Sequence, residues 1–230
     1  MTTTAAAPFD LATVDRLLTT TKAVRRRLDF DRPVERAVVV ECLRLASYAP
    51  NASNAQEWRW VVVDDPEQRR RVGEVYRRCT VPAMGPVLER KLAAGDEAGA
   101  HISRTIIELA ERMGEVPVLV VPCYDVDALA ARYGARMEGE GVPAGVLAAM
   151  YGSIYPAVWS FQLALRSRGL GSVFTTAHRG DQAAMAEILG ILRSWEQACL
   201  IPVAYTTGGD FRPSPRRPIE ESVVWNRLER

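Results

Sequence analysis

Histidine, lysine and paired cysteine are all scarce in this 230-residue chain, and each scarcity removes a class of function. His101 and His178 are the only imidazoles, too few for a histidine-rich metal centre. Cys42, Cys79, Cys123 and Cys199 lie far apart with no CxxC pair. That spacing argues against a zinc site or a disulfide framework and fits a reducing cytosol. Lys22 and Lys91 stand against 27 arginines, yet the net charge is only +1, so no global field draws the chain to nucleic acid or an anionic membrane. The longest apolar stretches, such as Val116 to Pro122, fall far short of the ~20 residues a spanning helix needs. Met1 to Asp10 has no apolar run flanked by cations, so the expectation is no secretory signal and a cytoplasmic location. Also absent are a P-loop, a GxSxG elbow, a pair of carboxylates, a Cys/His dyad and a Ser/His/Asp series. An enzyme on this chain therefore takes its chemistry from a cofactor.

What is present is ordinary globular material, 48% apolar and 25% charged. The length suits one domain, and no stretch reads as a linker. Residues 1–13 read as a flexible leader and 14–230 as the domain. Val14 to Arg26 reads as a short helix running into a basic segment, and Val34 to Tyr48 as an amphipathic helix ended by Pro50. Trp58 to Val63 is a β-rich run, followed by a charged helix from Glu67 to Arg77. Thr80 to Gly99 is broken by Pro82, Gly85, Pro86 and Gly95 and reads as irregular. A helix over His101–Met113 then precedes a buried strand over Val116–Val121. Asp127 to Ala148 again reads as irregular. Tyr151 to Arg168 is apolar nearly all round, hence a central helix. Ser172–Thr176 and Ala198–Tyr205 read as strands, with a helix over Gln182–Leu189 between them. The tail over Arg212–Pro218 reads as extended because proline recurs. The class is α+β, a mostly antiparallel sheet sandwiched by helices.

Two segments carry chemistry. Lys22-Ala23-Val24-Arg25-Arg26-Arg27 places four cations within six residues. They suit a phosphate ester, or else form a solvated basic helix end favoured by the helix dipole. No aromatics interleave, so a nucleic-acid arm is the weakest reading. Asn51, Asn54 and Gln56 follow a helix end and precede a strand. Their amides donate and accept at once, as an isoalloxazine edge requires, although turn chemistry alone also favours them. Gly169-Leu170-Gly171-Ser172 lies after a helix and before a strand, the reverse of the dinucleotide-binding order, and reads as a C-cap. His178 reads as a surface loop residue.

Taken in order, Lys22–Arg27, Ala49-Pro50-x-x-x-Asn54-x-Gln56-x-Trp58, Tyr155–Phe161 before Gly169–Ser172, and Arg216-Arg217-Pro218 resemble the nitroreductase family. The resemblance implies a nitroreductase-like fold and an intertwined homodimer whose C-terminal tail, from about 206, wraps the partner. It also implies FMN at the subunit interface and a ping-pong cycle from NAD(P)H to nitroaromatics, quinones or similar acceptors. Alternatives on the same fold are an FMN oxidase or dehydrogenase not using NAD(P)H, and a non-catalytic flavin-sequestering protein. By position, Arg25 corresponds to the basic residue near flavin N1 and C2=O. Lys22, Arg26, Arg27, Arg216 and Arg217 become phosphate candidates. Pro50, Asn51, Ala52, Asn54 and Gln56 line the ring, Ser153, Ile154, Tyr155 and Pro156 cover the opposite edge from the partner subunit, and Thr175 and Thr176 are further candidates. No metal is implied. Segments 80–99 and 127–148 resemble variable lids. The chain departs from the family's pattern at Ala23, Asn51 and Glu57, where Ser, Ser or Thr, and Pro or Gly are usual.

Overall fold

The structure is a computed structural model that describes residues 9–134 and 144–228. Five strands form one antiparallel sheet: β1 (Trp58–Val63), β2 (Val118–Asp125), β3 (Leu170–Ser172), β4 (Trp195–Gln197) and β5 (Ile201–Tyr205). The order is β1-β2-β5-β3, and β4 pairs with the end of β2 that β5 leaves open. Among the described residues seven helices flank it: α1 (Leu11–Thr20), α2 (Arg36–Ala46), α3 (Pro66–Ala93), α4 (Glu97–Arg112), α5 (Val126–Tyr133), α6 (Ala144–Ser167) and α7 (Gln182–Leu189).

Strand parity builds two cores. The pairs Trp58↔Tyr124, Trp60↔Pro122 and Val62↔Val120 put one set of side chains on one face, and Arg59↔Cys123, Val61↔Val121 and Val63↔Leu119 put the other set behind it. The first face meets α2 and α6 through Val39, Cys42, Ile154, Phe161 and Leu165. The second meets α3, α4 and α7 through Val72, Val75, Tyr76, Leu109 and Met185. Phe161 is wholly buried and tilts on Trp60 at a centroid distance of 5.7 Å. Each large apolar side chain buried this way contributes roughly 1.5–3 kcal/mol. Among the described residues no helix is long and apolar enough to cross a membrane, and all four cysteines are free thiols.

The expected strand over Trp58–Val63 and helix over Gln182–Leu189 are found as read. Three expectations are corrected. The region 80–99 is not irregular: α3 runs unbroken through Pro82 and Pro86 to Ala93, and only a turn at Gly95 (φ 68°) separates it from α4. Proline's fixed φ is helical, and packing of α3 along α4 outweighs the lost donors. In the region 127–148, α5 and the start of α6 are helical, while residues 135–143 lie outside the described residues. At the N-terminus the helix is Leu11–Thr20, capped by the Asp10 carboxylate accepting from Ala12 N–H at 3.2 Å, so it starts inside the stretch read as a leader and stops before the cations.

The basic segment is instead non-helical and lies along the sheet, bending at Arg25 and turning through Arg26 and Arg27. Val24 N–H donates to Ser172 O (2.9 Å), Asp29 N–H to Tyr205 O (2.8 Å) and Thr207 N–H to Arg27 O (2.9 Å). Val24 and Leu28 turn inward. Two glycines make room. Gly169 ends α6 in the left-handed region (φ 76°), as the C-cap reading requires. Gly171 lets the segment close in, because a Cβ there would meet Thr206 Cγ2 at 2.6 Å and Val24 Cγ1 at 3.0 Å. We expect Gly171→Ala to cost about 1–3 kcal/mol. Urea unfolding would read this as a lower midpoint at unchanged slope.

Candidate functional site

The bend and turn at Arg25–Arg27 send the four cations to different fates. Arg26 makes a two-pronged ion pair with Glu108 on α4, both contacts at 2.5 Å. Arg27 donates to Thr207 O (2.7 Å) and Gly209 O and sits 4.0 Å over the Phe211 ring. Lys22 donates to Arg212 O at 3.0 Å and lies 5.9 Å from the same ring. Asp210 takes both Arg16 and Arg166, which holds its carboxyl far below the usual range. Residues 207–212 therefore fold back onto the basic segment, which the reading of the tail did not foresee.

Arg25 differs from these three. It is half-buried and makes no ion pair or hydrogen bond with any described residue. Burial lowers its pKa, opposed by the neighbouring Tyr76 phenol. A guanidinium stays charged under such a shift, so Arg25 is a cation with no anion beside it among the described residues. Two cavities meet at it. One of about 330 Å³ is walled by Tyr155, Val158, Trp159, Gln162 and Phe174, the other of about 490 Å³ by Arg26, Arg27, His101, Ile102, Phe211 and Ser214, and both include Lys22, Ala23 and Arg25.

The amide turn lies elsewhere. Asn51 Oδ1 accepts from Gln56 N–H (3.0 Å), and Asn51 Nδ2 donates to Ala49 O (3.3 Å), so Asn51 is spent on the turn itself. Asn54 and Gln56 are exposed, and Gln56 Nε2 donates to Asn54 Oδ1 (3.3 Å) and to Asn54 O (3.5 Å). Ser53, Asn54 and Gln56 all adopt positive φ (55°, 51° and 53°). Such left-handed non-glycine residues cost on the order of 1–2 kcal/mol each. The turn is pinned to α6 by Ala52 N–H donating to Ser153 Oγ at 2.9 Å, while that hydroxyl donates to Ala149 O at 2.6 Å.

The remaining candidates divide. Tyr155 lines the first cavity, its ring stacked on Tyr151 at 5.2 Å and edge-on to Phe174 at 5.2 Å. Pro156 is half-buried and Pro50 is exposed. The Ile154 side chain is wholly buried in the core, so only its backbone is left to meet a ligand. The Thr175 hydroxyl is committed to Leu200 O (2.7 Å), whereas Thr176 is exposed. Arg216 and Arg217 are exposed on the tail, Arg216 donating to Pro215 O, and neither lines the two cavities. The reading of His178 is corrected. It is wholly buried with both ring nitrogens unpartnered among the described residues, and burial pushes it down to about 4. Phe211, Trp159 and Phe174 were missed, because a lone aromatic in a tail, on a helix or after a strand has no sequence signature.

Helix α6 separates the two halves. Tyr155, Trp159 and Gln162 form one stripe toward the basic segment, while Ser153, about 200° from Tyr155 around the helix, faces the amide turn. Neither cavity reaches the turn.

Comparison with known proteins agrees with this architecture. Residues 19–205 match the profile of the Nitroreductase family. An NADH dehydrogenase of Thermus thermophilus is 28% identical over 196 residues, 84% of this chain and 87% of that one. An iodotyrosine deiodinase solved with FMN and 3-iodo-L-tyrosine superposes with a TM-score of 0.64 at 21% identity, covering 93% of this chain and 98% of the other. A BluB-like flavoprotein from Clostridium difficile gives 0.63 at 16% identity, covering 95% and 100%.

Proposed function

Because the chain belongs to the nitroreductase family, we propose that it is an FMN-dependent oxidoreductase passing two electrons from NAD(P)H to nitroaromatics, quinones or similar electrophiles. The observation that carries this reading is Arg25, a half-buried cation that has no ion pair among the described residues and lines both cavities. The deiodinase neighbour binds FMN and the Thermus relative bears the name NADH dehydrogenase, which supports a flavin and a pyridine-nucleotide donor. Flavin, when bound, supplies hydride acceptance and donation by turns, a ping-pong cycle.

The residues present fit that group. Arg25 serves the N1–C2 carbonyl edge, where a fixed cation stabilises negative charge. Lys22 and Arg27 serve the phosphate. Arg26 drops out of that set, since Glu108 already occupies its guanidinium. The amides of Asn54 and Gln56, exposed beyond their shared bond, offer donors and acceptors to a ring edge. Tyr155, Trp159 and Phe174 give the first cavity an apolar, aromatic wall suited to a planar ring. Arg216 and Arg217 remain tail cations available to a partner's phosphate site.

Two copies share each site in this reading. The cations and the amide turn lie on opposite sides of α6 within one chain, so a flavin contacting both sets bridges two chains. The tail supports it: Ile219, Val223, Val224, Trp225 (83% exposed) and Leu228 (81%) present apolar surface to solvent.

The test is an anaerobic visible spectrum of protein supplied with FMN, followed through addition of NADPH. We expect bound-flavin bands that bleach and then return with a quinone or nitroarene. Bands that persist with NADPH would move the assignment to an oxidase or a flavin store. Failure to bind FMN at all would overturn it.

A further inference from the structure

The turn Asn51–Gln56 holds three non-glycine residues in the left-handed region, and such a turn persists only if its surroundings hold both ends. The N-terminal tie is Ala52 N–H to Ser153 Oγ. The C-terminal tie is Glu57. Its backbone carbonyl accepts from Asp125 N–H (2.9 Å), and its carboxylate, only 12% exposed, takes the Tyr124 hydroxyl (3.4 Å) and the Arg132 guanidinium of α5. Tyr124 is itself buried on β2, its phenol also beside the Ser153 hydroxyl. Both ties thus converge on one phenol, and the chain of contacts runs from α5 through Glu57, Tyr124 and Ser153 to the Ala52 amide.

We propose that Glu57 is a positioning residue: its carboxylate, shared between Tyr124 and Arg132, fixes the strained amide turn and couples it to α5. The consequence for flavin binding rests on the reading of the turn as the ring-edge half-site. Neither partner of Glu57 belongs to the cation half-site, so the coupling acts on the ring edge and leaves the phosphate contacts alone. With Glu57 12% and Arg132 40% exposed, this charge-assisted contact is less screened than the i,i+3 pairs along α3, whose members are 42–69% exposed.

Two variants of the full chain test this. Glu57→Gln keeps the volume and removes the charge toward Arg132, and Tyr124→Phe keeps the buried ring and removes the shared hydroxyl. Hydrogen exchange on the flavin-free protein is expected to speed about tenfold or more in both residues 52–57 and 126–133 in each variant, with β5 unchanged. Exchange that stays at wild-type rates, rises in one segment alone or rises everywhere would overturn the coupling. With cofactor, both FMN and riboflavin are expected to bind about 5–20-fold more weakly to Glu57→Gln, their ratio unchanged because the phosphate contacts are untouched. Loss confined to FMN would overturn the ring-edge role. If the wild-type chain binds neither flavin, the functional reading fails while the exchange result still decides the coupling.

Discussion

Replacing Arg25 by alanine is expected to weaken FMN binding by one to two orders of magnitude while leaving the folded protein as stable as before. The expectation follows from what Arg25 does not do. It forms no ion pair and no hydrogen bond with the described residues, so its removal breaks no structural tie. Its burial is instead a standing desolvation cost, visible as the downward shift of its pKa. Removing an uncompensated, half-buried charge is neutral or mildly stabilising for the flavin-free protein. A charge-assisted hydrogen bond to a bound anion contributes roughly 1.5–3 kcal/mol, which is about 10–150-fold in affinity.

The same cation would raise the potential of a flavin whose negative charge it faces. For a two-electron couple 1.5–3 kcal/mol corresponds to about 30–60 mV, so Arg25→Ala should lower the midpoint by an amount of that order and slow hydride uptake from NADPH. Arg26→Ala is the control. Arg26 is half-exposed and already paired with Glu108 at the surface, so its loss should change FMN affinity little and stability by less than about 1 kcal/mol. Fluorescence titration of FMN against both variants, with spectroelectrochemistry on the loaded proteins, makes the comparison. Equal losses for the two residues would remove Arg25 from the special place given to it.

That distinction between neighbours could not be read from the sequence. Lys22, Arg25, Arg26 and Arg27 look alike as a run of cations, and only the folded backbone, held to Ser172 and Tyr205, decides that Arg26 pairs with Glu108 while Arg25 has no ion pair among the described residues. The periodic elements were legible wherever a single local signal dominated. Trp58–Val63 is β-branched and aromatic between turns, and Gln182–Leu189 carries helix formers between Asp181 and Gly190. The long apolar α6 was legible for the same reason. Legibility failed where tertiary contacts overruled local signals. Pro82 and Pro86 read as breaks, yet the packing of α3 on α4 carries the helix through them. Trp195–Gln197 is three residues long, and its pairing with β2 is a long-range event with no local trace. The order of the site motifs was legible, but their placement on opposite sides of α6 required the fold.

His178 gives a second large effect, and it concerns stability against pH. Its imidazole is wholly buried, both nitrogens lack partners among the described residues, and desolvation, then the adjacent Arg179, lowers it from 6.5 to about 4. Above pH 6.5 the ring is neutral folded or unfolded and contributes no pH dependence. As pH falls below 6.5 the unfolded chain takes a proton that the folded protein refuses, so stability is lost progressively until about pH 4, where the folded ring protonates too. At pH 5 the loss amounts to roughly 2 kcal/mol, or about 4–8 °C in Tm for a chain of this size. Carboxylates held low by their arginines, such as Asp64 and Glu41, also lose stability on acidification, but they do so around and below their ordinary values of 3.8 and 4.5. The window between pH 5 and 7 therefore isolates the histidine. His178→Leu removes the titration together with two unpartnered polar atoms, so it should match the wild type within about 1 kcal/mol at pH 7.5. Between pH 7.5 and 5 the variant should lose about 2 kcal/mol less than the wild type, as read by thermal melts across that range. Parallel losses in the two proteins would mean that the imidazole finds a proton acceptor inside the fold, and the acid sensitivity would then belong to another group.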